Sequence, residues 1–235
     1  MAGTREYSGL VRVLAVSLLA LALAAPALGA DGEPKKALTA KGQAIAKAIV
    51  LKRSDLSTGF VPHKASDAAR PKGARCGAVD ESDLTVTGDA SSPDFSQDTL
   101  GVAIGSSASV YRTQHESNAA WRRAGTAAAV QCFADLVRLT SPAAQKVTIV
   151  SAKRIPFPKV APNVIAYRVV ATLAVGKSRT VRAYFDAVLL QHGQIQSALV
   201  VTSLGAAVPA TQEQVLALIV AGRMAKAAGP RGPVA

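Results

Sequence analysis

Five residues in the second half of the chain carry side chains that could act at one place: Tyr167, Arg168, Tyr184, Asp186 and Gln196. Asp186 lies in the middle of an apolar run, flanked by Tyr184 and Phe185, with Arg168, Arg179 and Arg182 as cationic neighbours. A strand-centre aspartate opposite arginine reads first as a cross-strand ion pair. The sharper reading is a carboxylate that grips or attacks a ligand. The five together are expected to line a sheet face left open by helices, where aromatic and charged groups suit a small ligand or a wall fragment. An ordinary mixed solvent face is the plain alternative. Asp80, Glu81 and Asp83 form a second acidic cluster. It reads as a solvated turn, or as paired carboxylates able to share acid and base roles.

The motifs of known catalytic centres are missing. A serine nucleophile elbow needs G-x-S-x-G, and the nearest glycine pair, Gly101 and Gly105, brackets Val-Ala-Ile. Neither a dinucleotide fingerprint nor a phosphate loop occurs. His63, His115 and His192 show no ligand spacing, and the adjacent pair His115-Glu116 points its side chains apart on a helix or a strand. We therefore expect no catalytic residue, no metal and no cofactor. An exported hydrolase using Asp186 or the Asp80 cluster is the alternative.

The first 30 residues read as a secretory signal. Arg5 and Arg12 give a basic start, Val13 to Leu23 is almost unbroken Leu, Ala and Val, and Pro26 ends the run among small residues. Cleavage falls near Ala27 to Ala30. The alternative is an uncleaved N-terminal anchor, for which the run barely reaches the roughly 20 apolar residues of a spanning helix. Membrane association is expected only in that case. In an oxidising compartment Cys76 and Cys132, the only two cysteines, most simply form one disulfide. Its ring of 57 residues would contribute roughly 4 kcal/mol through chain entropy.

From Asp31 onward 25 basic residues face 14 acidic ones, leaving +11. The excess is uneven: Leu136 to Ala235 holds twelve basic residues and two acidic. Such a surface is drawn to anionic lipid headgroups or acidic wall polymers. An exported chain does not meet nucleic acid. An envelope protein is the other expected partner, and a basic but inert surface is the plain reading.

The elements that must position these groups follow from periodicity. Leu38, Ala44, Ile45, Ala48 and Ile49 predict a helix from Ala37 that ends near Leu51 to Asp55. His63 to Gly77 reads as loop, Leu84 to Thr87 as a short strand, and Gly88 to Gln97 as a polar turn segment. Leu100 to Arg112 alternates, and the small residues on its Val102–Val110 face predict a close neighbour. Ser117 opens an alanine-rich helix carrying Trp121, broken at Gly125-Thr126 and resumed from Ala127 to Leu139. Strands follow at Val147–Ile155, Val164–Val175, Val181–Gln191 and Ile195–Leu204, joined by turns too short for crossovers. Thr211 to Gln214 fits a capping box opening a helix from Gln212 to about Ala228, with Val215, Leu218, Ile219 and Met224 toward the sheet. The sum is a single α+β domain over residues 37–228, a meandering antiparallel sheet with helices packed on one face, followed by a frayed tail at 229–235.

This order resembles the actinobacterial secreted sensor-domain family, typified by the extracellular part of PknH-type serine/threonine kinases. The resemblance rests on "LKRSDLSTGF", on Cys76 before "DLTVTG", and on "ASVYRT" leading to Trp121 and "QCFADL". It continues through "AYRVV", "YFDAVLLQHGQIQSALVV" and a C-terminal helix ending near Arg223. It implies an extracytoplasmic α+β domain with a groove that binds or senses an envelope ligand. The kinase members carry two disulfides where this chain can form one, and no kinase domain is present. The expected function is an exported, non-catalytic envelope binding or sensing domain, with a structural or partner-binding envelope protein as a further alternative.

Overall fold

The computed structural model describes residues 32–63, 79–140, 146–175 and 179–229. The segment read as an export signal, Cys76 and the tail from 230 lie outside them. Within them the chain runs β1 (Lys35–Lys36), α1 (Ala40–Ile49), β2 (Val61–His63), β3 (Thr85–Ser91), β4 (Asp94–Gln97) and β5 (Val102–Tyr111). Then come α2 (Gln114–Ala124), α3 (Ala127–Thr140), β6 (Val147–Ile155), β7 (Asn163–Val175), β8 (Arg179–His192), β9 (Ile195–Leu204) and α4 (Ala210–Ala228). The strands form one sheet in the order β1-β3-β5-β9-β8-β7-β6, with β4 joining β2 to β5. Only the short β1–β3 pair is parallel. The expected α+β class and the β6-to-β9 meander are therefore present.

The helices cover both faces, not one. Val188 and Leu190 of β8 and Leu199 and Val201 of β9 pack with Ile49 of α1 and Val220 of α4. The intervening Phe185 and Ala187 of β8, and Val200 of β9, pack on the other side with Phe133 and Val137 of α3. The physical reason is that both alternation phases of these strands are apolar, and a sheet apolar on both faces has to bury both.

Local chemistry accounts for the element boundaries. The Thr39 hydroxyl accepts from the Gly42 amide and starts α1. Thr113 and Glu116 form a reciprocal capping box, so α2 opens at Gln114, three residues before the expected Ser117. Gly88 to Gln97 is not a turn segment. It holds the end of β3 and all of β4, because α1 presses on β3 at two glycines. A Cβ on Gly88 would stand 2.1 Å from the Gly42 carbonyl oxygen. That contact makes α1 the close neighbour expected over this part of the sheet. Pro156, Pro158 and Pro162 keep 156–162 out of the ladder, as expected.

The last helix departs from the sequence reading in start and in phase. It begins at Ala210 behind Pro209, with no side-chain cap. Glu213, Leu216, Ala217, Val220, Ala221 and Met224 face inward, while Val215 and Leu218 are exposed. The polar stretch read as a capping box contains a buried anchor, and burying Glu213 rotates the helix. Arg223 fixes its far end, donating to both oxygens of Asp55 at 2.7 and 2.8 Å and to the Val50 carbonyl at 3.0 Å.

Candidate binding site

Strand alternation separates the five residues picked out in the sequence. Arg168, Tyr184 and Asp186 lie on the α1/α4 face, and Tyr167 and Gln196 on the α2/α3 face. Helices cover part of each face, and the five residues do not share one uncovered surface: Tyr167 and Asp186 are buried, while Arg168, Tyr184 and Gln196 are half-buried.

On the α1/α4 face Arg168 and Asp186 stand directly opposite in register. The guanidinium donates to both carboxylate oxygens, Nε to Oδ1 at 2.6 Å and Nη2 to Oδ2 at 2.8 Å. This is the cross-strand pair that the residue types suggest. Asp186 is 1 % exposed. Glu213 descends on it from α4, against the Asp186 carboxylate and with its Oε1 4.0 Å from the Arg168 Nη2. Burial, reinforced by the Asp186 charge, pushes the Glu213 carboxyl up to about 8. It is neutral below that, which relieves an otherwise costly pair of buried like charges. Asp186 and Glu213 are the only two acidic residues after Asp135. That solitary pair in a basic half of the chain is the signal that could have located Glu213.

The α2/α3 face is built from anchors around cavities. Tyr167 donates its hydroxyl to the Ala124 carbonyl at the end of α2. Gln196 donates to the Ser117 carbonyl in its first half at 2.6 Å. Gln191 reaches the Ser117 hydroxyl and the Asn118 side chain, both at 2.9 Å. Tyr167 and Gln196 therefore hold α2 to the sheet by groups a ligand would otherwise need.

The acidic cluster before β3 divides likewise. The Asp80 side chain accepts from the Ser82 amide at 2.9 Å, closing the turn. Asp83 takes both prongs of Arg123 at 2.6 and 2.7 Å. Those two match the solvated-turn reading. Glu81 does not: it is buried and accepts from the Tyr111 hydroxyl at 2.6 Å. Burial pushes its carboxyl up to about 7, against the lowering effect of that hydrogen bond. It borders a narrow apolar slot of about 40 Å³ between α2, α3 and the sheet, lined also by Ala124, Ala129, Phe133, Tyr167 and Leu189.

Outside this slot an open groove of about 530 Å³ runs between the end of α2 and the proline-rich β6–β7 loop. Trp121 and Phe157, both half-buried, supply aromatic surface, and the exposed Arg122, Arg154 and Lys159 ring it. None of these three cations has an ion-pair partner among the described residues. The sequence reading missed them. The cationic excess after Leu136 was the signal for Arg154 and Lys159, but Arg122 precedes it by 14 positions and joins them only through the fold.

Among the described residues no group of three His, Cys, Asp or Glu side chains converges as a metal site, and no helix is long and apolar enough to cross a membrane. No family model matches the chain, and no curated protein shows significant similarity to it.

Proposed function

We propose that this chain is an exported, non-catalytic binding or sensing domain of the cell envelope, taking an anionic envelope component into the groove at Trp121. One observation carries the reading: Arg122, Arg154 and Lys159 converge with Trp121 and Phe157 on one open groove. Unpaired cations around aromatic surface attract an anion bearing an apolar or planar part. The resemblance to the secreted sensor domains and the signal-like Met1 to Ala30 point the same way. The carboxylates offered for hydrolysis favour it too: Asp186 is sealed beneath α4, Glu81 faces only a narrow slot, and Asp80 and Asp83 are engaged by the Ser82 amide and Arg123.

A Cys76–Cys132 disulfide belongs to this proposal. Cys132 packs in a buried cluster with Val79 and Ala129. Val79 follows Cys76 by three residues, a span of at most about 11 Å. Intact mass with and without reduction distinguishes one bridge from two free thiols.

Titration calorimetry tests the groove. Vesicles containing anionic phospholipid, or soluble anionic wall fragments, should bind, and zwitterionic vesicles should not. Replacing Arg154 and Lys159 by Gln should weaken binding by about 1 kcal/mol per charge at a lipid surface. No heat from any anionic component would count against the function.

A further inference from the structure

One side chain separates the apolar slot from an outer cavity that adjoins the groove. Tyr167 lines the slot, and it also lines an open cavity of about 370 Å³ that contains Gly125, Lys153 and Arg154. Gly125 and Arg154 in turn line the groove at Trp121. The cationic rim and the slot walled by Ala124, Ala129, Phe133 and Leu189 thus lie on opposite sides of the buried Tyr167 ring, which is held by the Ala124 carbonyl. The two ends differ in chemistry. The outer end is cationic and open. The inner end is apolar, and its one acidic neighbour, Glu81, is already engaged by Tyr111. The short side chains of Ala124 and Ala129 leave this space at the junction of α2 and α3.

We infer that the ligand is a single-chain anionic amphiphile: its phosphate or carboxylate head lies among Arg122, Arg154 and Lys159, and its hydrocarbon chain passes Tyr167 into the slot. This rests on the function proposed above and narrows it to a ligand class. The dimensions limit the chain. A water-sized group needs about 10–15 Å³ measured this way, so the slot's 40 Å³ takes about three such groups. Only the end of a chain enters unless the α2–α3 junction at Gly125-Thr126 lifts. The head is held by charge with little shape selection, so specificity falls on chain length.

A chain-length series tests this directly. Inorganic phosphate and butyl, hexyl and octyl phosphate, each below its micelle concentration, are titrated into the folded protein by calorimetry, with octanol as the uncharged control. Affinity should rise about fourfold for each methylene that becomes buried, and then level off once the slot is full. Octanol should bind more weakly than octyl phosphate. Ala124→Leu, which fills the slot, should flatten the rise and leave inorganic phosphate unaffected. If that variant folds poorly, the series on the unsubstituted protein decides alone.

Equal affinity across the series would overturn the inference and leave the groove standing as an anion site. Octanol binding as tightly as octyl phosphate would overturn it too, since the head would then contribute nothing. If no phosphate binds at millimolar concentration, the inference and the proposed function both fall.

Discussion

The two faces of the sheet handle buried acid in opposite ways. On the α1/α4 face Asp186, Arg168 and Glu213 are packed shut, and their charges serve one another. On the α2/α3 face Glu81 is satisfied by a single neutral phenol, while Arg122, Arg154 and Lys159 stand around open space with no ion-pair partner among the described residues. The first arrangement spends its charge on holding α4 in place. The second keeps its charge available. Buried ion pairs are costly to desolvate and are weak evidence for net stability, but breaking one leaves an uncompensated charge. Exposed cations contribute little to stability and are free to recruit an anion.

This contrast is open to test, and the largest effect should come from the closed face. Arg168→Met leaves Asp186 and Glu213 together without a cation. Urea unfolding should show a loss of about 3–5 kcal/mol, the range for removing one partner of a buried pair. Phosphate binding at the groove should survive in whatever fraction remains folded. A parallel loss of binding would mean that the two faces are coupled.

Next in size is the α1–β3 contact. Gly88→Ala places a methyl against the Gly42 carbonyl oxygen. It should lower stability by about 1–3 kcal/mol, the usual effect of overpacking. An unchanged urea midpoint would show that α1 can shift away at no cost.

The two raised carboxyls give each face its own pH signature. Glu213 at about 8 and Glu81 at about 7 both stand above the ordinary value of 4.5. Below pH 4.5 each is protonated in the folded and the unfolded chain, and its contribution to stability is complete. As pH rises, the unfolded chain gives up the proton first, so stability falls until the folded carboxyl also ionises. The loss attributable to Glu81 should end near pH 7 and that of Glu213 near pH 8. Urea midpoints measured from pH 4 to 9 should therefore decline. Glu81→Gln should remove the part of the decline that ends near pH 7, and Glu213→Gln the part that continues to pH 8. A profile that Glu213→Gln leaves unaltered would contradict the closed-face description.

The smallest stability effect belongs to the open face. Replacing Arg154 and Lys159 by Gln should change the unfolding free energy by no more than about 0.5 kcal/mol, as for surface positions without packing roles. A larger loss would mean these cations are structural and would weaken the groove as a site.

The sequence alone determined the parts that depend on neighbours along the chain. Alternation located β5 and β7, because a strand with a buried face repeats every two residues whatever lies against it, and apolar runs bounded by turn residues located β6, β8 and β9. Short turns fixed their antiparallel order, and Pro156, Pro158 and Pro162 fixed the gap between β6 and β7. The opposition of Asp186 to an arginine was legible for the same reason.

Alternation also held a warning that the residue types obscured. Tyr167 and Arg168 are consecutive in a strand, so they could never share a face. The start and phase of α4 were not legible, because Glu213 resembles a cap until the Arg168–Asp186 pair is placed beneath it. Glu81 could not be told from Asp80 and Asp83, since only the position of Tyr111 turns one of three acids inward. The groove is furthest from the sequence. Trp121 and Arg122 belong to α2, Arg154 to the end of β6, and Phe157 and Lys159 to the β6–β7 loop, with no shared period. Tertiary structure decided that site, because convergence of distant side chains is set by how α2 seats on β7, and Tyr167 and Gln196 do that work through hydrogen bonds that no local pattern records.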